Sequence, residues 1–397
     1  MRQMNNKEAF MNKELRLEPA MDGTLSGYTF AVKDVFAIYR QKTSAGHPEW
    51  LQSHPENPFT APAIERLLRN GAALAGTTVS DELMYSLHGD NVHYGMPVNP
   101  ADPEAIPGGS SSGSASAAAA GSVDFAVGTD TGGSVRVPSS YCGLYGIRPT
   151  HGAVSMEGVV PLAPSFDTIG WMSRDADALQ QVGNALLPSG DTETPYRTVW
   201  WEEEAWAEYA DEYKQALGKV FSAVQAQAET LNENKLAEDS LAEWAEVFRL
   251  QQAVEVGETH REWIHKHQPA FGPGVRERFA FAAGTRREDY LHIFAKRQEL
   301  QNEVQQRLGQ DTVMVIPTVP GPAPKIQAGE DEIQEVRKRT MQLTCIAGIG
   351  RLPQVTIPVE RPGKAPISIS IVANQHDDRR LLSFVQRVAR HLQNIDS

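Results

Sequence analysis

Cysteine is nearly missing from this 397-residue chain, which holds only Cys142 and Cys345. Neither has a partner at metal-ligand spacing, and a pair so far apart in sequence indicates no disulfide framework either way; a reducing cytoplasm is the expected compartment. Basic residues are also scarce. The 37 Lys and Arg are outnumbered by 50 Asp and Glu, giving a net charge of -13, and no window gathers the basic stripe that a phosphate backbone requires. Nucleic acid is therefore not an expected partner. Long apolar runs are absent too. The longest, Ala115 to Val127, is broken by Ser116, Gly121, Ser122 and Asp124, and the opening MRQMNNKEAFMNKELRLEP is too charged for a secretory leader. No signal peptide and no membrane span are expected.

What is present suits a globular protein with a large core, since 41% of residues are hydrophobic and 22% charged. The first third alternates short apolar runs with turn residues: YTFAVKDVF (28–36), a helical APAIERLLRNGA (61–72), then a strand-like ALAGTT (73–78). From 200 to 309 the composition shifts to Glu, Gln, Ala and Lys with apolar residues at helical spacing, which predicts a helical layer. Strand patterns return in VMVIPTVP (313–320), LPQVTIPV (352–359) and ISISIVAN (367–374), before an amphipathic helix over 378–392. No internal repeat is visible. The expected organisation is one α/β domain with a core over 23–190, a helical excursion over 200–309, and strands with a closing helix over 311–397.

Chemistry concentrates in the Gly/Ser-rich segment 107–154, where apolar VDFAV interrupts the serines and glycines as no flexible linker would. A phosphate loop would need a lysine after its second glycine, and a dinucleotide fingerprint would need G-x-G-x-x-G; neither occurs. Gly109-Ser110-Ser111-Ser112-Gly113 fits the G-x-S-x-G elbow with Ser111 as nucleophile, yet the preceding NPADPEAIP cannot supply the strand an elbow requires. A third reading joins Lys33 in FAVKDVF, Ser110 in GGSSSGS and Ser134 in GTDTGGS. Burial lowers a lysine pKa and can leave a neutral base, and Ser-Lys pairs are a known alternative to Ser-His-Asp. Each residue has a plainer reading as well. Lys33 could end a strand with its charge in water or on Asp34, and Ser134 could cap a helix.

The segment PGGSSSGSASAAAAGSVDFAVGTDTGGSVRVPSSYCGLYGIRPTHGAV (107–154), with AVKDVF, NVHYGMPVNP and PSFDTIGWMSRD, resembles the amidase signature family. Within that family it is most similar to the short plant-type members that hydrolyse indole-3-acetamide. The resemblance implies an α/β/α fold, with a mixed central sheet between helices, and hydrolysis of a small carboxamide to carboxylate and ammonia. It implies Ser134 as nucleophile, Ser110 after a cis peptide as bridging serine, and Lys33 as base. The backbone N–H groups of Thr131, Gly132, Gly133 and Ser134 would form the oxyanion hole. Met84, Tyr85 and Gly109 would contact substrate, Asp130 and Arg136 would be scaffold, and Asn91 and Asp167 would lock loops. No metal or cofactor is implied, none of the eleven histidines is required, and a homodimer is expected by analogy. Two other readings stay open: the glutaminase subunit of a tRNA-dependent amidotransferase, and a receptor or scaffold on an inactive amidase fold.

Overall fold

The computed structural model describes residues 6, 7, 9–207 and 209–396. Two short strands, β1 (Asn6–Lys7) and β5 (Met96–Pro97), pair in parallel apart from the main sheet. The remaining strands are β2 (Phe10–Asn12), β3 (Thr29–Lys33), β4 (Ala73–Thr78), β6 (Phe125–Asp130), β7 (Tyr145–Arg148), β8 (Thr168–Ser173), β9 (Thr198–Glu202), β10 (Thr230–Asn234), β11 (Thr312–Pro317), β12 (Gln354–Arg361) and β13 (Lys364–Val372). They form one mixed eleven-stranded sheet in the order β10-β9-β11-β13-β12-β7-β8-β6-β3-β4-β2.

The centre of this sheet is buried on both faces, as the near-continuous apolar runs of β3, β6 and β8 require. Strand alternation sorts the residues by size. Ala31, Ala126 and Met172 pack with Ala115, Ala117 and Ala118 of the Ser112–Ala119 helix, which has small side chains and can approach closely. Phe30, Val32, Phe125, Val127 and Trp171 belong to the other, larger cluster. There Phe30 and Phe125 stack with centroids 5.3 Å apart, a contact worth about 0.5–1.5 kcal/mol beyond simple burial. Sheet and helices make a single α/β domain, as expected.

The helical stretch departs from the composition reading in two places. TVWWE enters the sheet as β9, in keeping with its β-branched and aromatic residues, and TLNEN pairs beside it as β10. β10 is exposed along its whole length, so it has no alternation from which a strand could be read. The layer proper is carried by four helices, Leu291–Leu308 among them. Leu241–His267 opens with a capping box, Ser240 Oγ accepting from the Glu243 N–H at 3.3 Å and Glu243 accepting from the Ser240 N–H at 2.7 Å. Val275–Gly284 and Glu330–Gly350 pack against it. The chain closes with helix Asp378–Asp396. Among the described residues, no helix is long and apolar enough to cross a membrane.

Candidate active site

β3 and β6 run in parallel with Val32 opposite Val127, so the ends of both strands deliver their next residues to one place. β3 ends on Lys33, which is fully buried. Its Nζ lies 2.7 Å from Ser110 Oγ and 3.0 Å from Thr129 Oγ1. Asp34 does not pair with it, because that carboxylate accepts from the N–H of Ser44 at 3.0 Å and from the Ser44 hydroxyl. Lys33 is therefore neither in water nor in a contact ion pair. Burial lowers its pKa to about 7, partly opposed by the negative charges of Asp81, Asp130 and Asp167.

Gly109–Ser110 is a cis peptide. Gly109 lies against Asp81, and a Cβ built on it would fall 2.3 Å from Asp81 Oδ2. It is not among the residues lining the cavity over Ser134. Asp81 accepts from the Gly89 N–H at 3.0 Å, and its own N–H donates to the Ser110 carbonyl at 3.2 Å. Its pKa is raised to about 7, by burial first and Asp90 next.

β6 ends on Asp130, which organises the turn carrying Ser134. Asp130 accepts from the N–H groups of Gly133 (3.0 Å) and Val135 (3.1 Å), and it pairs with the buried Arg136 (2.7 Å) and Arg148 (3.1 Å). Burial alone would raise its pKa, but the two guanidiniums hold it well below the usual carboxylate range. Asp130 and Arg136 thus hold the turn together, and Arg148 joins them unannounced by any motif. The Gly133 N–H, one of the four expected oxyanion donors, is bonded to Asp130. Among the described residues, no acceptor takes the N–H of Gly132 or Ser134.

Other contacts fix this turn from outside. Ser111 donates its N–H to the Ser134 carbonyl at 3.2 Å, joining the two serine segments, and Thr344 donates its hydroxyl to the Gly132 carbonyl at 2.8 Å. Asp167 accepts from the Thr131 hydroxyl (2.7 Å) and the Leu162 N–H (2.8 Å); Asn91 donates to Gly46 O (2.7 Å) and Ser80 O (2.9 Å). Both act as loop locks. Ser111, the elbow alternative, sits immediately before the Ser112–Ala119 helix and donates its hydroxyl to Thr129 O at 3.2 Å, away from any base.

Ser134, Gly132 and Thr131 floor a cavity of about 470 Å³. Met84, Tyr85, Leu162, Phe281 and Met341 give it apolar walls, so the expected Met84 and Tyr85 do face this space. Among the described residues, one histidine cluster exists that the sequence did not suggest. His47, Glu82 and His93 bring ligand-type atoms within 4.8 Å of one another. Several of their polar atoms are engaged: His47 Nδ1 accepts from the Glu49 N–H, and His93 Nε2 is 3.1 Å from Ala270 O and 3.2 Å from Glu82, whereas His47 Nε2 is buried without a hydrogen-bond partner. Glu82 also accepts from the Gly272 N–H at 3.1 Å, so the cluster fastens the 268–274 connection to the sheet domain.

The mixed sheet between helices is the fold of an amidase, a hydrolase of amide bonds. More narrowly, the chain belongs to the amidase signature family, whose Amidase profile matches residues 4–218. It is 39% identical to Amidase 1 of Arabidopsis thaliana, over 92% of this chain and 93% of the relative. It is 34% identical to Outer envelope protein 64, chloroplastic, of the same plant, over 98% of this chain and 72% of that one. A solved structure described as an amidase superposes with a TM-score of 0.82 at 27% identity, covering 92% of this chain and 85% of the other.

Proposed function

We propose that the chain hydrolyses a small primary carboxamide to carboxylate and ammonia through an acyl-enzyme on Ser134. The observation that carries this reading is Lys33, fully buried and 2.7 Å from Ser110 Oγ with no carboxylate in contact. Neutral Lys33 takes the Ser110 proton while Ser110 takes that of Ser134, and Ser134 Oγ attacks the amide carbon. The N–H groups of Gly132 and Ser134, with Thr131 beside them, receive the developing oxyanion, each donor contributing about 3–4 kcal/mol in comparable sites. The proton returns through the same relay to the departing nitrogen, which leaves as ammonia; water then enters, gives up a proton to the relay, and releases the carboxylate.

An aryl- or indolyl-acetamide is the proposed substrate type, supported by the likeness to Amidase 1 and by the apolar cavity walls. The compartment we propose is the cytoplasm, where the buried, unpaired Cys142 and Cys345 would stay reduced. A receptor role, raised by the likeness to an outer envelope protein, is disfavoured because Lys33, Ser110 and Ser134 are all present. A glutaminase role would require a small partner subunit. The deciding experiment follows ammonia release from indole-3-acetamide, phenylacetamide and aliphatic amides by wild type, Ser134→Ala and Lys33→Ala. Full activity of Ser134→Ala ends the proposal.

A further inference from the structure

The cavity over Ser134 holds a feature that hydrolysis does not use. Two guanidiniums, those of Arg278 and Arg337, stand in its wall and also border an adjoining cavity of about 250 Å³. They come from different helices, Val275–Gly284 and Glu330–Gly350, and both are half-buried. Arg278 donates its Nε–H to the Tyr85 carbonyl at 2.7 Å and lies over the Tyr85 ring at 5.7 Å, which leaves its two Nη groups without a hydrogen bond among the described residues. Arg337 has no hydrogen bond and no ion pair among the described residues.

The carboxylates nearby are committed elsewhere. Glu246 grips Arg249 through two 2.7 Å bonds, and Glu277 pairs with Arg276 at 2.7 Å. Lys338 is 4.0 Å from Glu335. The adjoining cavity contains Asp90, Glu330 and the ring of His88; Asp90 acts on Arg278 through space, together with Tyr85 and Asp81. For Arg337 the groups in range are Tyr85 and another cation, Arg249. Two like charges half out of water, one without any counter-charge in contact, are stabilised when an anion arrives. The planar fork of a guanidinium fits a carboxylate in two parallel bonds. Because the whole chain carries a charge of -13, an anion is not drawn here by the overall field, and selection falls to this local pair.

We infer that Arg337, with Arg278 beside it, forms an oxyanion subsite in the acyl cavity, and that the preferred amide carries a carboxylate on its acyl group, beyond an apolar spacer. Met84, Leu162, Phe281 and Met341 receive the spacer. The amide half of this inference rests on the hydrolytic reading above; the anion half does not.

The test compares 4-carboxyphenylacetamide with its methyl ester. Wild type is expected to favour the carboxylate by about tenfold or more in kcat/KM, a preference that shrinks as salt is raised. In Arg337→Gln the ratio falls to about one, and Arg337→Lys restores part of it. Equal kcat/KM values in wild type, or an undiminished ratio in a folded Arg337→Gln, overturn the subsite. A binding arm separates this from failure of the amidase reading. Calorimetry of 4-methylbenzoate against its methyl ester on Ser134→Ala needs no turnover, so selective binding lost in Ser134→Ala/Arg337→Gln supports the subsite even if no amide is cleaved. Absence of selective binding there sinks it.

Discussion

Lys33 Nζ and Ser110 Oγ are 2.7 Å apart although 77 residues separate them in the chain. The contact gives a base only when Lys33 is neutral. Its pKa, lowered to about 7 by burial, places that change inside the working range. Amide hydrolysis should therefore rise with pH through about 7, and kcat/KM should fall by about tenfold per pH unit below it. A kcat/KM with no acid limb, unchanging through pH 7, would contradict the assignment of Lys33 as a base with that pKa.

Asp81 is predicted to tune that limb. Its negative charge holds the Lys33 pKa up against burial. Asp81→Asn keeps the shape and an oxygen for the Gly89 N–H but removes the charge, so the acid limb should move to lower pH while the fold stays intact. An unmoved limb in a folded Asp81→Asn protein would contradict the assignment.

Ser134→Ala should abolish ammonia release and labelling by a fluorophosphonate while leaving thermal stability within about 0.5 kcal/mol. The link to Ser111 uses the Ser134 carbonyl, which the substitution retains. Comparing labelling with the denaturation midpoint checks both halves of this expectation.

Asp130→Asn should cost about 3–5 kcal/mol, because Arg136 and Arg148 would keep their buried charges without a counter-ion. The folded pKa of Asp130 is depressed below its unfolded value near 4. Its contribution is thus fully present above about pH 4 and is lost as pH falls further. Guanidinium unfolding curves of the variant and wild type at pH 7, pH 4 and pH 2 measure both statements.

Gly109→Ala should destabilise by about 1–3 kcal/mol and reduce turnover, since the added methyl would lie 2.3 Å from a carboxylate that is itself buried. Unfolding curves and ammonia release give the two readouts. Wild-type values in both would show that this contact relaxes without consequence.

Much of the site could be read from the chain because its chemistry is local. Lys33 ends an apolar strand run, Ser110 and Ser134 lie in one Gly/Ser-rich segment, and Asp130 sits four residues before Ser134. The supports that escaped notice are long-range. Thr344 reaches Gly132 across 212 positions, and Gln354 meets Arg136 across 218, so no spacing rule points to either. The bond from the Gly133 N–H to Asp130 escaped for a different reason: composition tells that a glycine backbone can approach, but not which acceptor its N–H faces. β10 escaped because an exposed edge strand leaves no hydrophobic period.

The burial of β3 on both faces has a consequence for how the protein fails under stress. Amide protons of β3 and β6 should exchange only through global opening, so Lys33 leaves its post only when the whole molecule unfolds. Arg278 and Arg337, half-buried on helices, can rearrange through smaller openings. Acyl preference is thereby open to gradual drift over mutational time, whereas the proton relay is kept or lost as a unit.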